Sequence, residues 1–361
     1  MTRPLPQAPT VLLAAGTSTG AGTTVALVEA CRTLSTQMET GEVGRVEVHL
    51  PADADSAAAV ANRLDVVRVR RWRSIFSEMA SPSDSDIYIG FADRLPLMAR
   101  SQQFRVMVVQ NPHLYEESDA PSLGTFARAV RTRWARRSAA MADLVVCATD
   151  ASRSAILTVV PDLVPERVVV RPIRPETPEP SMKFNDRITK VVLLGDLYSY
   201  KRFDVALDGI TAWATQREGE PVEAVHCGSG RDEQAVNDFR AAVDRARNAG
   251  MTVHERGAVS HEQAMVELGR ADVLVSASEV ETQGLTIVEA MAVGLPVIAR
   301  GIAPVLDIAG DAIETFPVDG GADHVAQALS NLEDVGRRRE LAQRGLSRAA
   351  MAAGWNLLPD F

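Results

Sequence analysis

Four prolines fall within ten residues at Arg171-Pro-Ile-Arg-Pro-Glu-Thr-Pro-Glu-Pro180, and the same alternation of segments runs on either side of them. Proline fixes φ and cannot donate to a ladder, so this stretch reads as a stiff linker and a domain boundary near residue 175. Before it, Val11–Ala15, Val46–Leu50, Val66–Arg70, Ile87–Gly90, Arg105–Gln110 and Asp143–Ala148 are short apolar runs of strand character, with helix-length segments such as Thr23–Leu34 and Phe126–Ala142 between them. After it, Val191–Leu194, Val222–Cys227, Val253–Gly257 and Ala271–Ser276 restart the series, separated by a helix to about Thr215, one from Asp232 and one from His261. Short buried-type strands alternating with helices predict parallel sheets covered on both faces. The expected class is therefore α/β, with two Rossmann-like doubly wound domains, 1–175 and 176–361.

Composition narrows the function. The chain has 361 residues, enough for two cores, and a net charge of −9 with a pI near 5.3, which argues against nucleic acid as a partner. Cys31, Cys147 and Cys227 lie far apart in apolar runs without metal-ligand spacing, as in a reduced, cytoplasmic protein. No apolar run approaches the length of a membrane span. Asp53-Ala-Asp55 and Asp84-Ser-Asp86 are D-x-D strings, paired carboxylates of the kind that can bind a metal. Each precedes an ordinary element, so turn or cap duty is expected of them and no essential metal is. Arg128, Arg131, Arg133, Arg136 and Arg137 with Trp134, together with Arg68, Arg70, Arg71, Trp72 and Arg73, form a basic, aromatic-dotted set. That set suits either a solvated face or peripheral contact with anionic lipid at the inner face of a membrane.

The most informative stretch is Ser278–Pro296. A strand leads into Glu281-Thr-Gln-Gly284, and Leu285, Ile287, Val288, Met291 and Val293 then recur at roughly helical spacing until Gly294 and Pro296 stop them. A strand, glycine loop and helix present the amides of Gly284, Leu285 and Thr286 to an anion such as a diphosphate. Glu281 and Glu289, with seven residues between them, suit neutral hydroxyls better than phosphate, because like charges repel. The glycine-rich loop Gly16–Gly22 fits neither a P-loop, since no lysine follows, nor a dinucleotide fingerprint. It reads as a close-approach loop or a tight turn. His113 follows a strand end, where a site residue is expected, with Gln110 and Asn111 as alternatives.

Glu289-Ala-Met-Ala-Val-Gly-Leu-Pro-Val-Ile-Ala299, preceded by a glutamate eight positions earlier, resembles the retaining glycosyltransferases of family 4 on the GT-B fold, glycosyl transferases group 1. The resemblance implies two domains facing a central cleft, with Glu281 contacting donor-sugar hydroxyls and Glu289 the nucleotide ribose. Gly195-Asp-Leu-Tyr-Ser-Tyr-Lys201-Arg-Phe-Asp204 is similar to the family's G-R-L-x3-K-G-x-D, whose Arg and Lys hold the diphosphate. Gly195, Leu197, Lys201 and Asp204 fit. Asp196 stands where Arg is expected, and Arg202 or Arg231 is the candidate replacement. Gly228-Ser-Gly230 resembles the loop beside the base, Gly257–His261 the segment lining the base pocket, and His113 a family histidine near the donor sugar. Trp355 resembles a tryptophan near the family's end.

The match fades after Ile298, and the closing helix is expected to be short or absent, with the last residues returning to the first domain. The implied activity is transfer of a hexosyl-type group, with retention, from a nucleoside-diphosphate sugar on the C-terminal domain to an acceptor hydroxyl of a glycan, glycolipid or small molecule on the N-terminal one. No cofactor is implied. A sugar-nucleotide epimerase on the same fold, or a degenerate, non-catalytic partner of another transferase, are the alternatives, the latter motivated by Asp196.

Overall fold

The computed structural model describes residues 5–15, 21–51, 67–72, 84–91, 93, 95, 104–111, 125–182, 184–217, 221–351, 357 and 358. The chain divides into two compact units, Met1–Arg174 with Ala353–Phe361, and Pro175–Ala352.

The first unit holds a parallel sheet of β1 (Thr10–Ala14), β2 (Arg45–Pro51), β3 (Val67–Trp72), β4 (Ile87–Gly90), β5 (Phe104–Val108), β6 (Leu144–Cys147) and β7 (Val168–Val170), in the order β3-β2-β1-β4-β5-β6-β7. Helices α1 (Ala21–Glu39), α2 (Thr125–Met141) and α3 (Asp150–Val159) belong to it, α3 capped by Thr149, whose side chain accepts from the Ser152 amide. Leu12, Met107, Val145 and Ile156 meet in its core. β7, absent from the sequence reading, is three valines after a 3₁₀ turn at Pro165–Arg167, too short to show a period of two.

Asp86, the second acid of one D-x-D string, accepts from the Thr10 amide and hydroxyl, both at 2.8 Å, and so ties β4 to β1. The other string, Asp53 and Asp55, lies outside the described residues, as do Gly16–Gly20, Arg73, His113, Trp355 and the side chains of Arg68, Arg70, Arg71, Trp72 and Arg128. Arg131, Arg133, Arg136 and Arg137 are exposed on α2. Trp134 departs from that basic face: its indole N–H donates to the Leu95 carbonyl at 3.1 Å, because a large ring with one donor is best placed where both parts are satisfied.

The second unit carries β8 (Lys190–Leu194), β9 (Glu223–Cys227), β10 (Thr252–Glu255), β11 (Val273–Ser276), β12 (Val297–Arg300) and β13 (Glu314–Phe316), all parallel, in the order β10-β9-β8-β11-β12-β13. Its helices are α4 (Phe203–Thr215), α5 (Glu233–Asn248), α6 (His261–Arg270), α7 (Leu285–Ala292), α8 (Ala303–Ala309), α9 (Ala322–Asn331) and α10 (Val335–Met351). On α5, Ala235, Phe239, Ala242, Val243 and Ala246 recur at helical spacing and are buried in one core with residues of α4, β8, β9 and β10, with Asp232 capping the start. Ser260 opens α6 with a capping box closed by Gln263.

β8 is buried at its centre because helices cover both faces of the sheet. Its entry is fixed by Asp272, which accepts from the Thr189 and Lys190 amides, the Thr189 hydroxyl and the Asn185 side chain at 2.7–3.1 Å. A closing helix that crosses back to the first domain, expected to be short or absent, would fall at residues 352–356, outside the described residues. The 17-residue α10 before it is held by Leu341, Ala342 and Ala349 in the core and by Arg338 donating to the Asn185 and Asp186 carbonyls. Its arginine-rich polar face masks that apolar stripe in the sequence. No helix among the described residues is long and apolar enough to cross a membrane, and none of their acidic, histidine and cysteine side chains group in threes around a metal-sized space.

Candidate active site

Strand order places the site. β8 and β11 are neighbours, and from them the sheet grows in opposite directions, so the loops leaving their C-terminal ends flank a topological switch point. The β8 loop holds Gly195 to Arg202, the β11 loop holds Ala277 to Gly284, and the β9 loop holds Gly228 to Asp232 on the other side of β8.

Each loop is fastened by its backbone. Gly195 donates to the Cys227 carbonyl at 2.9 Å, Leu197 to Ser229 at 2.8 Å and Gly228 to Gly257 at 2.9 Å. Gly228 has to be glycine: a Cβ there would lie 1.9 Å from the Gly195 carbonyl oxygen. Gly230 bridges to Leu197. Beneath them His226 donates from Nε2 to the Gly195 carbonyl at 3.0 Å, packed against Phe203 and Phe239; burial holds its pKa below the usual imidazole value.

The β8 and β11 loops meet through side chains. Lys201 Nζ lies 2.5 Å from Glu281 Oε1, with 16% and 10% of the two side chains exposed, so a nearly dry ion pair joins them. Burial alone would lower the lysine pKa, but Glu281 and Tyr200 oppose it and the net shift is upward. The ammonium lies 5.5 Å from the Tyr200 ring centre, Tyr198 stacks on Tyr200 at 5.4 Å, and burial pushes the Tyr200 hydroxyl up to about 12. Arg202 bonds Asp204 through Nε and Glu279 at 2.7 Å, while the Glu279 amide donates to the Tyr200 carbonyl. Arg202 is thus committed to joining the same two loops.

At the β11 loop's end, Gly284 is the N-cap of α7 with φ 78°, a left-handed geometry that favours glycine. Its carbonyl accepts from Ile287 and Val288, and the amides of Leu285 and Thr286 carry no hydrogen bond among the described residues. Free amides and the helix dipole give this end of α7 a positive potential of the kind that suits an anion. The helix closes on Gly294, φ 78°, whose amide bonds Met291 while Leu295 bonds Ala290, and Pro296 follows. Glu289 is buried on α7, and the ring Nδ1 of His261, the first residue of α6, is 3.6 Å from its Oε1.

Of the residues expected to form the site, Gly195, Lys201, Arg202, Gly228, Gly230, Glu281, Gly284, Leu285, Thr286 and Glu289 all lie on the loops and helix starts at this one sheet edge. His113 is in the other unit, outside the described residues. Sequence reasoning missed Arg300. It is buried at the end of β12, bonds Ala277 at 3.0 Å and Gly320 at 2.9 Å, and rests 5.0 Å from the Phe316 ring, holding the start of the β11 loop. A lone arginine after an apolar run was the only signal.

The profile of the family described as glycosyl transferases group 1 matches residues 188–334, so the likeness runs well past Ile298, through the short strands and helices that carry few motif residues. No curated protein matches the chain by sequence. Among solved structures, Anabaena Alr3699/HepE in complex with UDP and glucose superposes with a TM-score of 0.73 at 15% identity, over 97% of this chain and 96% of that one. A glycosyltransferase from Rickettsia africae gives 0.65 at 12% identity, over 98% and 95%. Sucrose-phosphate synthase from Thermosynechococcus elongatus gives 0.57 at 15%, over 91% and 74%. At such identities the likeness is one of fold, and that fold is GT-B. Residues 188–334 thus match the glycosyl transferases group 1 family, and that match together with the shared fold supports a glycosyltransferase.

Proposed function

We propose that the chain is a retaining transferase that moves a sugar from a nucleoside-diphosphate sugar to the hydroxyl of a glycan, a lipid-linked sugar or a small molecule. The observation that carries this reading is the Lys201–Glu281 pair joining the β8 and β11 loops, with the unpaired amides of Leu285 and Thr286 opening α7 just beyond. The anionic diphosphate fits the lysine and the helix start; the neutral hydroxyls of sugar and ribose fit Glu281 and Glu289. Structures of HepE hold UDP with glucose, or UDP-glucose, which supports a donor of that class here.

On this reading the bond from the anomeric carbon to the diphosphate oxygen breaks, and a bond to the acceptor oxygen forms on the same face of the sugar. The acceptor proton passes to the departing diphosphate. Lys201 and the α7 amides stabilise the charge that develops on that leaving group. His113, on the first unit, is assigned a sugar hydroxyl. Neutralisation is assigned to protein groups, so activity is expected to persist in EDTA. The exposed arginines of α2 are assigned a peripheral contact with anionic lipid in the cytoplasm, tested by sedimentation with phosphatidylglycerol vesicles.

The experiment is to incubate the full chain with α-linked UDP-, GDP- and dTDP-sugars and follow released sugar by NMR. An α-anomer as first product is expected. A β-anomer contradicts retention, and a changed nucleotide sugar without release makes the protein an epimerase.

A further inference from the structure

Asp196 lies one residue past Gly195, where a carboxylate would oppose a diphosphate. Both its oxygens are occupied. Oδ1 accepts from the Ser229 amide at 2.8 Å and Oδ2 from Arg231 Nε at 2.9 Å. The pair is lopsided in exposure, with 11% of the Asp196 side chain accessible against 43% of Arg231. The anion is turned into the loops and the cation out of them.

Arginine has five N–H groups, and Nε–H alone is used here; the terminal amino groups make no hydrogen bond among the described residues. The chain around Arg231 is equally fixed. Its amide donates to the Leu197 carbonyl at 3.2 Å, Leu197 donates to Ser229, and Gly230 bridges to Leu197. A guanidinium anchored by its inner nitrogen and by its backbone is a prepared fork for an oxyanion, because little freedom remains to be lost on binding. Strand order sets this fork on the β9 side of the β8 loop, with the amide-lined start of α7 on the β11 side. The rival cation, Arg202, is already committed to Asp204 and Glu279.

We infer that Arg231 is an anion-binding residue of the donor site, its terminal amino groups taking phosphate oxygens of the nucleoside diphosphate, and that Asp196 is the positioning residue that aims it. The inference rests on the donor reading above and names the second cation of that site. Arg231 thereby supplies from the β9 loop the positive charge that Asp196 lacks on the β8 loop.

The test is calorimetric titration of the full chain with UDP, GDP, ADP and dTDP, followed by the best of the four and its parent nucleoside in the variants. Arg231→Gln is expected to weaken the diphosphate roughly ten-fold or more and leave the nucleoside unchanged. The decline of diphosphate affinity with added salt becomes shallower in the same variant. Asp196→Asn keeps an oxygen for the Ser229 amide but loses the charge that holds Nε, so it weakens the diphosphate by a smaller factor with the same indifference to nucleoside. Arg231→Lys restores part of the loss.

Diphosphate binding by Arg231→Gln equal to that of the unaltered chain overturns the inference while leaving the donor reading intact. Equal loss of nucleoside and diphosphate, at unchanged melting temperature, also overturns it, since the loop then acts through shape. If the unaltered chain binds none of the four diphosphates, the donor reading falls and this inference with it.

Discussion

Arg202 shows how one position can conflict with its own backbone. It sits at φ 48° and ψ 44°, left-handed geometry that costs a side-chain-bearing residue roughly 1 kcal/mol, and the similar family pattern has glycine there. Asp204 and Glu279 hold it, but those pairs are substantially exposed and weak. Arg202→Gly is therefore expected to leave stability within about 0.5 kcal/mol of the original or raise it, while Arg202→Ala, which keeps the Cβ and loses the pairs, lowers it by about 1 kcal/mol. Urea denaturation of the two variants decides, and an alanine variant as stable as the glycine one contradicts the strain. His226 makes a prediction in pH. Its folded pKa lies below the unfolded value of about 6.5, so the unfolded chain takes up the proton first and stability falls as pH drops through that value. Denaturation at pH 7.5 and 5.5 should show a smaller loss in His226→Gln than in the unaltered chain; equal losses would mean that other groups carry the acid sensitivity.

At the scale of elements, the β8 and β9 loops are locked by backbone contact. Gly228→Ala would drive a methyl to within 1.9 Å of the Gly195 oxygen, which nothing short of moving a loop relieves. A loss of about 2 kcal/mol or more in stability, with weakened nucleotide binding, is expected, read by thermal melting and titration. Much of this layer was legible in the sequence. The strand–helix alternation in both halves, the helix starts near Asp232 and His261 and the glycine–proline stop after α7 are local signals read from a few neighbours. β7 and β13 escaped because three residues show no period, and α10 because its polar face outweighs its buried stripe. Pairings across loops escaped for another reason. Lys201 and Glu281 are 80 residues apart and Asp196 and Arg231 are 35 apart, so their contact follows from strand order alone. The sequence named all four side chains without showing which cation answered which carboxylate.

For the whole molecule, the second unit brings together, in one compact body of its own, the lysine, the paired acids and the helix start that the donor reading uses. Removing one member of the dry Lys201–Glu281 pair strands a charge at a cost of about 3–5 kcal/mol, so loss of activity in such a variant would mix stability with chemistry. A direct observation of the ligand avoids that ambiguity. The decisive measurement is a structure of the full chain soaked with UDP, or with whichever nucleoside diphosphate titration favours. The account predicts phosphate oxygens within hydrogen-bonding distance of Lys201 Nζ and of the Leu285 and Thr286 amides, with ribose hydroxyls on Glu289. A diphosphate bound elsewhere on the chain, with those amides making no bond to it, would contradict it.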